Sequence, residues 1–330
     1  MKLMITKLMT TFAALVALMC VTSALALDCS AGLRAFSHVG GETCIPEKAE
    51  RIVSLHDQSF TLSLLELGAP VVGSMGRIDD DGNFYMRAVD LMLGLDFENS
   101  GITYVGAWDE TDYEMIASLE PDLIIGWDGD AQYSDKHEAI APAVYIAAST
   151  TDPLAVARST ADAAGLLPEW EAQLAIYRAN IDRAKYAFPQ AEGASYSKIQ
   201  GWDGNLEVYA GFGGLTMVLE DLGFVRTSFG QDMADRGIAW GETVSAEVLP
   251  ELQADYLFDT YTIAYGDTLA DPYERLNEVF PNWCDFLTAC GEGRYIVLPR
   301  EYSTGYSFTQ LNTLIHLIST HAARNPAPRG

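Results

Sequence analysis

The stretch Tyr104-Val-Gly-Ala-Trp-Asp-Glu-Thr-Asp-Tyr-Glu-Met-Ile-Ala-Ser-Leu-Glu-Pro-Asp-Leu-Ile-Ile-Gly-Trp127 compresses a strand, turn, helix, turn and strand into a single short unit. Val105-Gly106 reads as the close of one strand, with Trp108 just beyond it. Leu123 to Gly126 is the next apolar run, with Trp127 just beyond that. Tyr113, Ile116, Ala117 and Glu120 recur at helical spacing, and Pro121 stops the helix after Leu119. Ligands of parallel α/β sheets sit at the carboxyl ends of the strands, so both tryptophans are candidate site residues.

The same alternation extends in both directions. Upstream, Arg51 to Leu55 reads as a strand, Gln58 to Leu67 as a helix, Val71 to Met75 as a strand and Phe84 to Leu93 as a helix. Downstream come a helix at Asp135 to Ile140 and a strand at Val144 to Ala147. Such alternation predicts a parallel sheet. After Pro153 the chain reads as helical for more than thirty residues, interrupted only at Gly165 and Pro168; Trp170, Leu174, Tyr177, Ile181, Ala184 and Phe188 share one face. Strands at Leu206 to Tyr209, Tyr256 to Phe258 and Tyr295 to Leu298 then alternate with helices at Leu215 to Leu222, Ala246 to Leu252 and Tyr273 to Val279. An amphipathic helix from Ser307 to Ala323 closes the chain. The expected fold class is α/β: two Rossmann-like lobes with parallel sheets, residues 27–164 and 189–330, joined by a single long helix over 165–188. No Gly/Ser-rich or Pro-rich linker separates the halves, so the joint is expected to be stiff.

Residues 1–26 read as a secretory leader. Lys2 and Lys7 precede the apolar run Leu8 to Val21, and Ala24-Leu25-Ala26 has the small-x-small form of a cleavage site. No later segment offers the roughly 18 apolar residues of a spanning helix. The mature chain is therefore expected in the periplasm, as a monomer. Asp28 before Cys29 argues against a lipoprotein site. Cys20 leaves with the leader, and the remaining Cys29, Cys44, Cys284 and Cys290 are an even set in a disulfide-permitting compartment. Two local bridges, Cys29 to Cys44 and Cys284 to Cys290, are the expected pairing, although four cysteines allow three. The thiols lack the short Cys-x-x-Cys pairs of zinc sites.

Forty-six acidic residues against 20 basic ones in the whole chain argue against nucleic acid or an anionic membrane as partner. Against that acidity, the predominance of arginine over lysine is informative, because a guanidinium is a planar fork for anionic oxygens.

Arg51-Ile-Val-Ser-Leu, Leu64-Leu-Glu-Leu-Gly-Ala-Pro-Val-Val-Gly and Tyr113-Glu-Met-Ile-Ala-Ser-Leu-Glu-Pro-Asp-Leu-Ile-Ile together resemble the periplasmic binding proteins of ABC importers for ferric siderophores, haem and cobalamin. Leu219-Glu-Asp-Leu-Gly-Phe, Val244-Ser-Ala-Glu-Val-Leu and Gly293-Arg-Tyr-Ile-Val extend the resemblance across the second lobe. It implies a class III periplasmic binding protein, with ligand held between two lobes bridged by one long helix. It also implies that Trp108, Trp127 and Trp240 are ligand contacts, and that Glu114 and Glu247 dock on arginines of an ABC permease in the inner membrane. The ferric-hydroxamate-binding protein carries an arginine where this chain has Ala107 or Trp108, a departure that points away from a hydroxamate site. The expected cargo is a ferric siderophore, with cobalamin or haem as the alternative in the same class and an extracytoplasmic α/β enzyme as the alternative from another. No cofactor is expected, iron entering only as part of the chelate.

Arg77, Arg87, Arg226, Arg236 and Arg300 follow strands or lie in loops that a two-lobe arrangement turns toward the cleft, where they would neutralise an anionic chelate; their bland reading is surface ion pairing. Tyr209 and Tyr302 each add a ring and a hydroxyl. Trp170 and Trp283 read as packing residues and Trp202 as a rim position. Asp57 reads as a helix cap in preference to a ligand contact by His56. The five histidines are too scattered for a bare-metal site. Asp79-Asp-Asp-Gly-Asn83 reads as a solvated turn, Gly211-Phe-Gly-Gly214 as a tight turn, and no nucleophile motif stands out.

Overall fold

The computed structural model describes residues 27–79, 81–108, 110–147 and 152–328. The expected leader, residues 1–26, lies outside them.

The first lobe is built on a five-stranded parallel sheet ordered Ala143–Ile146, Leu123–Trp127, Ile52–Ser54, Val71–Ser74 and Thr103–Tyr104. Three of its strands, Ile52–Ser54, Leu123–Trp127 and Ala143–Ile146, are short runs buried throughout, as a sheet covered by helices requires. The chain starts at the central strand Ile52–Ser54, builds outward to Thr103–Tyr104, then crosses back to add Leu123–Trp127 on the other side. That reversal opens a crevice at the carboxyl ends of Ile52–Ser54 and Leu123–Trp127. A hairpin, Leu33–His38 with Gly41–Pro46, lies against the outer strand and is anchored by the Cys29–Cys44 disulfide.

The second lobe differs from the all-parallel expectation. Its six-stranded sheet runs Gly241–Val244, Asn205–Tyr209, Ser195–Trp202, Tyr256–Tyr261, Tyr295–Pro299, with Val225–Arg226 also pairing with Ser195–Trp202, and Asn205–Tyr209 is antiparallel to both of its neighbours. The tight turn at Asp203-Gly204 returns the chain directly into a hairpin, where a parallel pairing would need a helical crossover. Cys284 and Cys290 are joined, so both expected disulfides are present.

Helices Pro153–Ala163 and Leu167–Ala187 connect the lobes. Between them Gly165 takes φ +75°, and its backbone passes so near the Glu47 carbonyl that a Cβ there would collide with that oxygen. Ala163, Ala164 and Leu166 belong to the core of the first lobe, whereas Trp170, Leu174, Tyr177 and Ile181 pack into the second. The closing helix Phe308–Arg324 lies against both the long helix and Gly214–Leu222. Its first turn is capped from the first lobe. The Glu66 carboxylate accepts from the Phe308 and Thr309 N–H groups at 2.6 and 2.9 Å and from Thr309 Oγ1 at 3.0 Å.

Candidate functional site

The switch point of the first sheet is occupied by His56 and Trp127. Trp127 ends its strand and is buried against Phe60 at 4.4 Å and His56 at 5.7 Å between ring centroids. Its backbone N–H is held by Asp130 at 2.8 Å. Trp108 does not follow a strand of the five-stranded sheet. Gly106–Ala107 pairs instead with Glu110–Thr111 in a small antiparallel hairpin, because Gly106, at φ +116°, turns the chain so tightly that a Cβ there would meet the Glu110 carbonyl. Trp108 rides on that hairpin, 64% exposed, its ring centroid 5.6 Å from that of His56 and the two planes nearly perpendicular at 88°. Together with Tyr133, Lys136 and Tyr306 these rings wall a chamber of about 830 Å³.

His56, not Asp57, takes the capping role expected of Asp57. The helical segment begins at Asp57, and His56 Nδ1 accepts from the Ser59 N–H at 3.0 Å as its cap. The Asp57 carboxylate accepts from the Gln58 and Arg87 N–H groups and from Arg77 Nε at 3.0 Å. With Nδ1 accepting, the neutral ring carries its proton on Nε2 and presents a donor to the chamber. Burial holds the ring neutral, lowering its pKa to about 4; Asp57 opposes the shift, while Arg77 and Arg87 add to it.

Two further chambers continue from the first, the second sharing Asp128 and Tyr306 with it and the third sharing Trp240 with the second. One, of about 640 Å³, is bounded by Asp128 and Tyr306 on one side and by Phe212, Arg226 and Trp240 on the other. Trp240 is half-exposed and stacks on Phe212 with centroids 4.9 Å apart and planes 24° apart. The other, of about 370 Å³, brings Arg87 of the first lobe to Gln200, Tyr209, Thr262, Tyr265 and Arg300 of the second, with Trp202 and Trp240 at its border. These volumes fall in the range of small-molecule sites. Beneath this wall Lys198 is fully buried, 3.2 Å from Asp259 and within 5 Å of the Tyr209 and Phe212 ring centres. Burial lowers its pKa to about 8 against the opposing effect of Asp259.

The structure thus gathers Trp108, Trp127, Trp240, Arg87, Arg226, Arg300 and Tyr209 around adjoining chambers. It does not place the remaining candidates there. Arg77 is spent on Asp57. Arg236 is exposed and paired with Asp232 and Glu242 at 3.0 and 2.7 Å, the surface ion pair of the bland reading. Tyr302 packs against the core of the second lobe. Arg226 reaches its chamber already bound to Glu220 at 2.7 Å. Glu114 and Glu247 are both exposed, each in the first turn of a short helix capped by Asp112 and Ser245 respectively.

Tyr306, Tyr265, Phe212 and Gln200 line the chambers without having been singled out from the sequence. Only Phe212, inside the Gly211 to Gly214 turn, carried a signal. That turn is tight as expected, since a Cβ on Gly213 would stand 2.5 Å from the Thr304 carbonyl. The Asp79 turn is likewise closed on itself, by Asn83. Among the described residues no group of three or more His, Cys, Asp or Glu side chains converges as a metal site, and no helix is long and apolar enough to cross a membrane.

Two α/β lobes hinged on one long helix, with a ligand-sized crevice where they face each other, define the class III periplasmic binding protein fold. No family model matches the chain. In sequence it is similar to the iron(3+)-hydroxamate-binding protein FhuD of Bacillus subtilis (strain 168), 27% identical over 224 residues covering 66% of each chain. It is also similar to the petrobactin-binding protein YclQ of the same organism, 26% identical over 169 residues, 49% of this chain and 51% of that one. The chain therefore aligns with between about half and just under two thirds of the length of these curated relatives. Among solved structures, Staphylococcus aureus SirA complexed with staphyloferrin B matches with a TM-score of 0.72 at 22% identity, over 88% of this chain and 98% of that one. The FhuD protein from S. pseudintermedius matches at 0.68 and 18%, over 89% and 99%. The resemblance to siderophore-binding proteins of ABC importers, and the fold it implied, are borne out.

Proposed function

We propose that this protein is a non-catalytic carrier that captures a ferric siderophore between its lobes outside the inner membrane and delivers it to an ABC permease through Glu114 and Glu247. The observation that carries this reading is the crevice itself. Indoles from both lobes and guanidinium groups from both lobes face adjoining chambers, so one guest would meet apolar ring faces and anion-binding forks together. The rings desolvate the ligand periphery and the arginines neutralise its charge. The named activities of FhuD and YclQ support the same reading.

Titration of intrinsic tryptophan fluorescence with ferric siderophores, cobalamin and haem tests it directly, since Trp108, Trp127 and Trp240 all border the chambers. A ferric siderophore is expected to quench saturably at a one-to-one ratio and to be recovered chemically unchanged. Saturable binding of cobalamin or haem alone would overturn the proposed cargo, and chemical conversion of the bound chelate would overturn the carrier role.

A further inference from the structure

We infer that the chamber between Arg87 and Arg300 receives a peripheral carboxylate of the cargo, so that the bound chelate is an anionic, carboxylate-bearing ferric complex held by one guanidinium from each lobe. This rests on the siderophore reading above and narrows it to a ligand class.

Arg87 is an unfinished site. Its residue is only 9% exposed, yet Nε and Nη2 are buried without a hydrogen-bond partner. A guanidinium cannot escape that cost by losing its proton, and a buried charge persists only when something offsets it. The Tyr265 ring, 5.3 Å away across the lobe boundary, satisfies none of the N–H groups in their plane. Nor is the side chain held loosely. Its backbone N–H is fixed by Asp57 at 2.9 Å, and the next residue, Ala88, sits at φ +69° in the left-handed region, a conformation that costs an alanine energy and that the surrounding packing must impose.

Arg300 faces the same chamber from the end of the strand Tyr295–Pro299, its guanidinium 5.1 Å from the Phe212 ring centre. Burial disfavours its charge, and the charge of Arg87 disfavours it further, with Tyr209 in partial compensation. The one carboxylate of the chamber wall among the described residues, Glu207, accepts from Thr243 Oγ1. Guanidinium groups from opposite lobes thus line one chamber of about 370 Å³, and among the described residues neither is ion-paired with that carboxylate. A carboxylate placed between them accepts from both forks and reverses the repulsion. A hydroxamate complex without a free acid would leave both guanidinium groups unneutralised. The other candidate arginines contrast sharply, because Arg77, Arg226 and Arg236 already have carboxylate partners.

The test is fluorescence titration of wild type, R87Q, R300Q and the surface control R236Q with ferric staphyloferrin B and ferric citrate, which carry carboxylates, and with ferrioxamine B, which has none. Circular dichroism checks the fold of each variant. At least one carboxylate chelate should bind wild type tenfold or more tighter than ferrioxamine B. R87Q and R300Q should each weaken it about 10- to 100-fold, as expected for losing a charged hydrogen-bonding partner, while R236Q stays within twofold. Tight binding of ferrioxamine B, with both cleft variants indifferent, would overturn the carboxylate class and leave siderophore capture standing. Failure of every ferric chelate to bind wild type would overturn both.

Discussion

His56 shows how one residue can serve the fold and the cleft at once. Free imidazole titrates near 6.5, whereas burial lowers His56 to about 4. As pH falls below 6.5 the unfolded chain takes up a proton that the folded chain refuses. The stability contributed by the neutral ring is therefore lost progressively down to about pH 4, amounting to roughly 3 kcal/mol. Protonation would also remove the acceptor that caps Ser59. H56N keeps a capping acceptor without titrating, so its urea-unfolding free energy should fall less steeply than that of wild type between pH 7 and 4.5. His137, buried and also lowered to about 4, is common to both proteins and cancels in the comparison. Equal slopes would show that His56 is not the responsible group. At this scale the sequence was legible where position alone decides. Trp127 follows a strong apolar run and lands at the switch point. The cap was misassigned because Asp is the commoner capping residue, and nothing local reveals that Arg77 and Arg87, twenty and thirty residues on, both claim its carboxylate.

At the level of elements, the strand Ser195–Trp202 was invisible for the same reason that it matters. Ser-Tyr-Ser-Lys-Ile-Gln-Gly-Trp reads as polar and irregular, yet it is the central strand of the second sheet, with Lys198 and Gln200 almost wholly buried under the Arg300 chamber. A polar interior departs from the hydrophobic pattern by which strands are recognised, and such departures concentrate near sites. Lys198 also donates to the Ile199 carbonyl at 2.9 Å, while Asp259 accepts from the Tyr295 hydroxyl at 2.8 Å and from the Thr260 N–H. K198M should cost about 3 kcal/mol or more by leaving Asp259 buried without its cation. In K198M/D259N the neutral amide still accepts from Tyr295 and Thr260, and most of that loss should return. Chemical denaturation of wild type, both single variants and the double variant closes the cycle. Additive losses would deny the coupling. The expected helix from Phe84 fails for a comparable local reason. Phe84–Tyr85 pairs with Arg77–Ile78, and the left-handed Ala88 delays the helix to Val89.

For the molecule as a whole, the alternation of strands and helices was enough to read two lobes. How they meet was not, because the contacts span most of the chain. Gln58 donates to Thr304 Oγ1, and Glu66 caps the helix that begins at Phe308. These contacts tie the lobes together beside the crevice, and in the proposed carrier they would have to yield for the lobes to part and release a guest. In that carrier Glu114 and Glu247 would receive the work that parts the lobes, one exposed carboxylate on each lobe and neither in the walls of the three chambers. Both sit in the first turn of a short helix, where a negative charge is locally favourable by a few tenths of a kcal/mol. Reversal to lysine should therefore cost little stability. E114K/E247K is expected to fold and bind its chelate within about twofold of wild type, because exposed charges outside the cleft contribute little to its affinity. Iron-chelate uptake by cells carrying the double variant should nevertheless be lost, and each single reversal should impair it. Normal uptake would remove the two carboxylates from the docking surface. A parallel loss of ligand affinity would instead place their effect in the cleft.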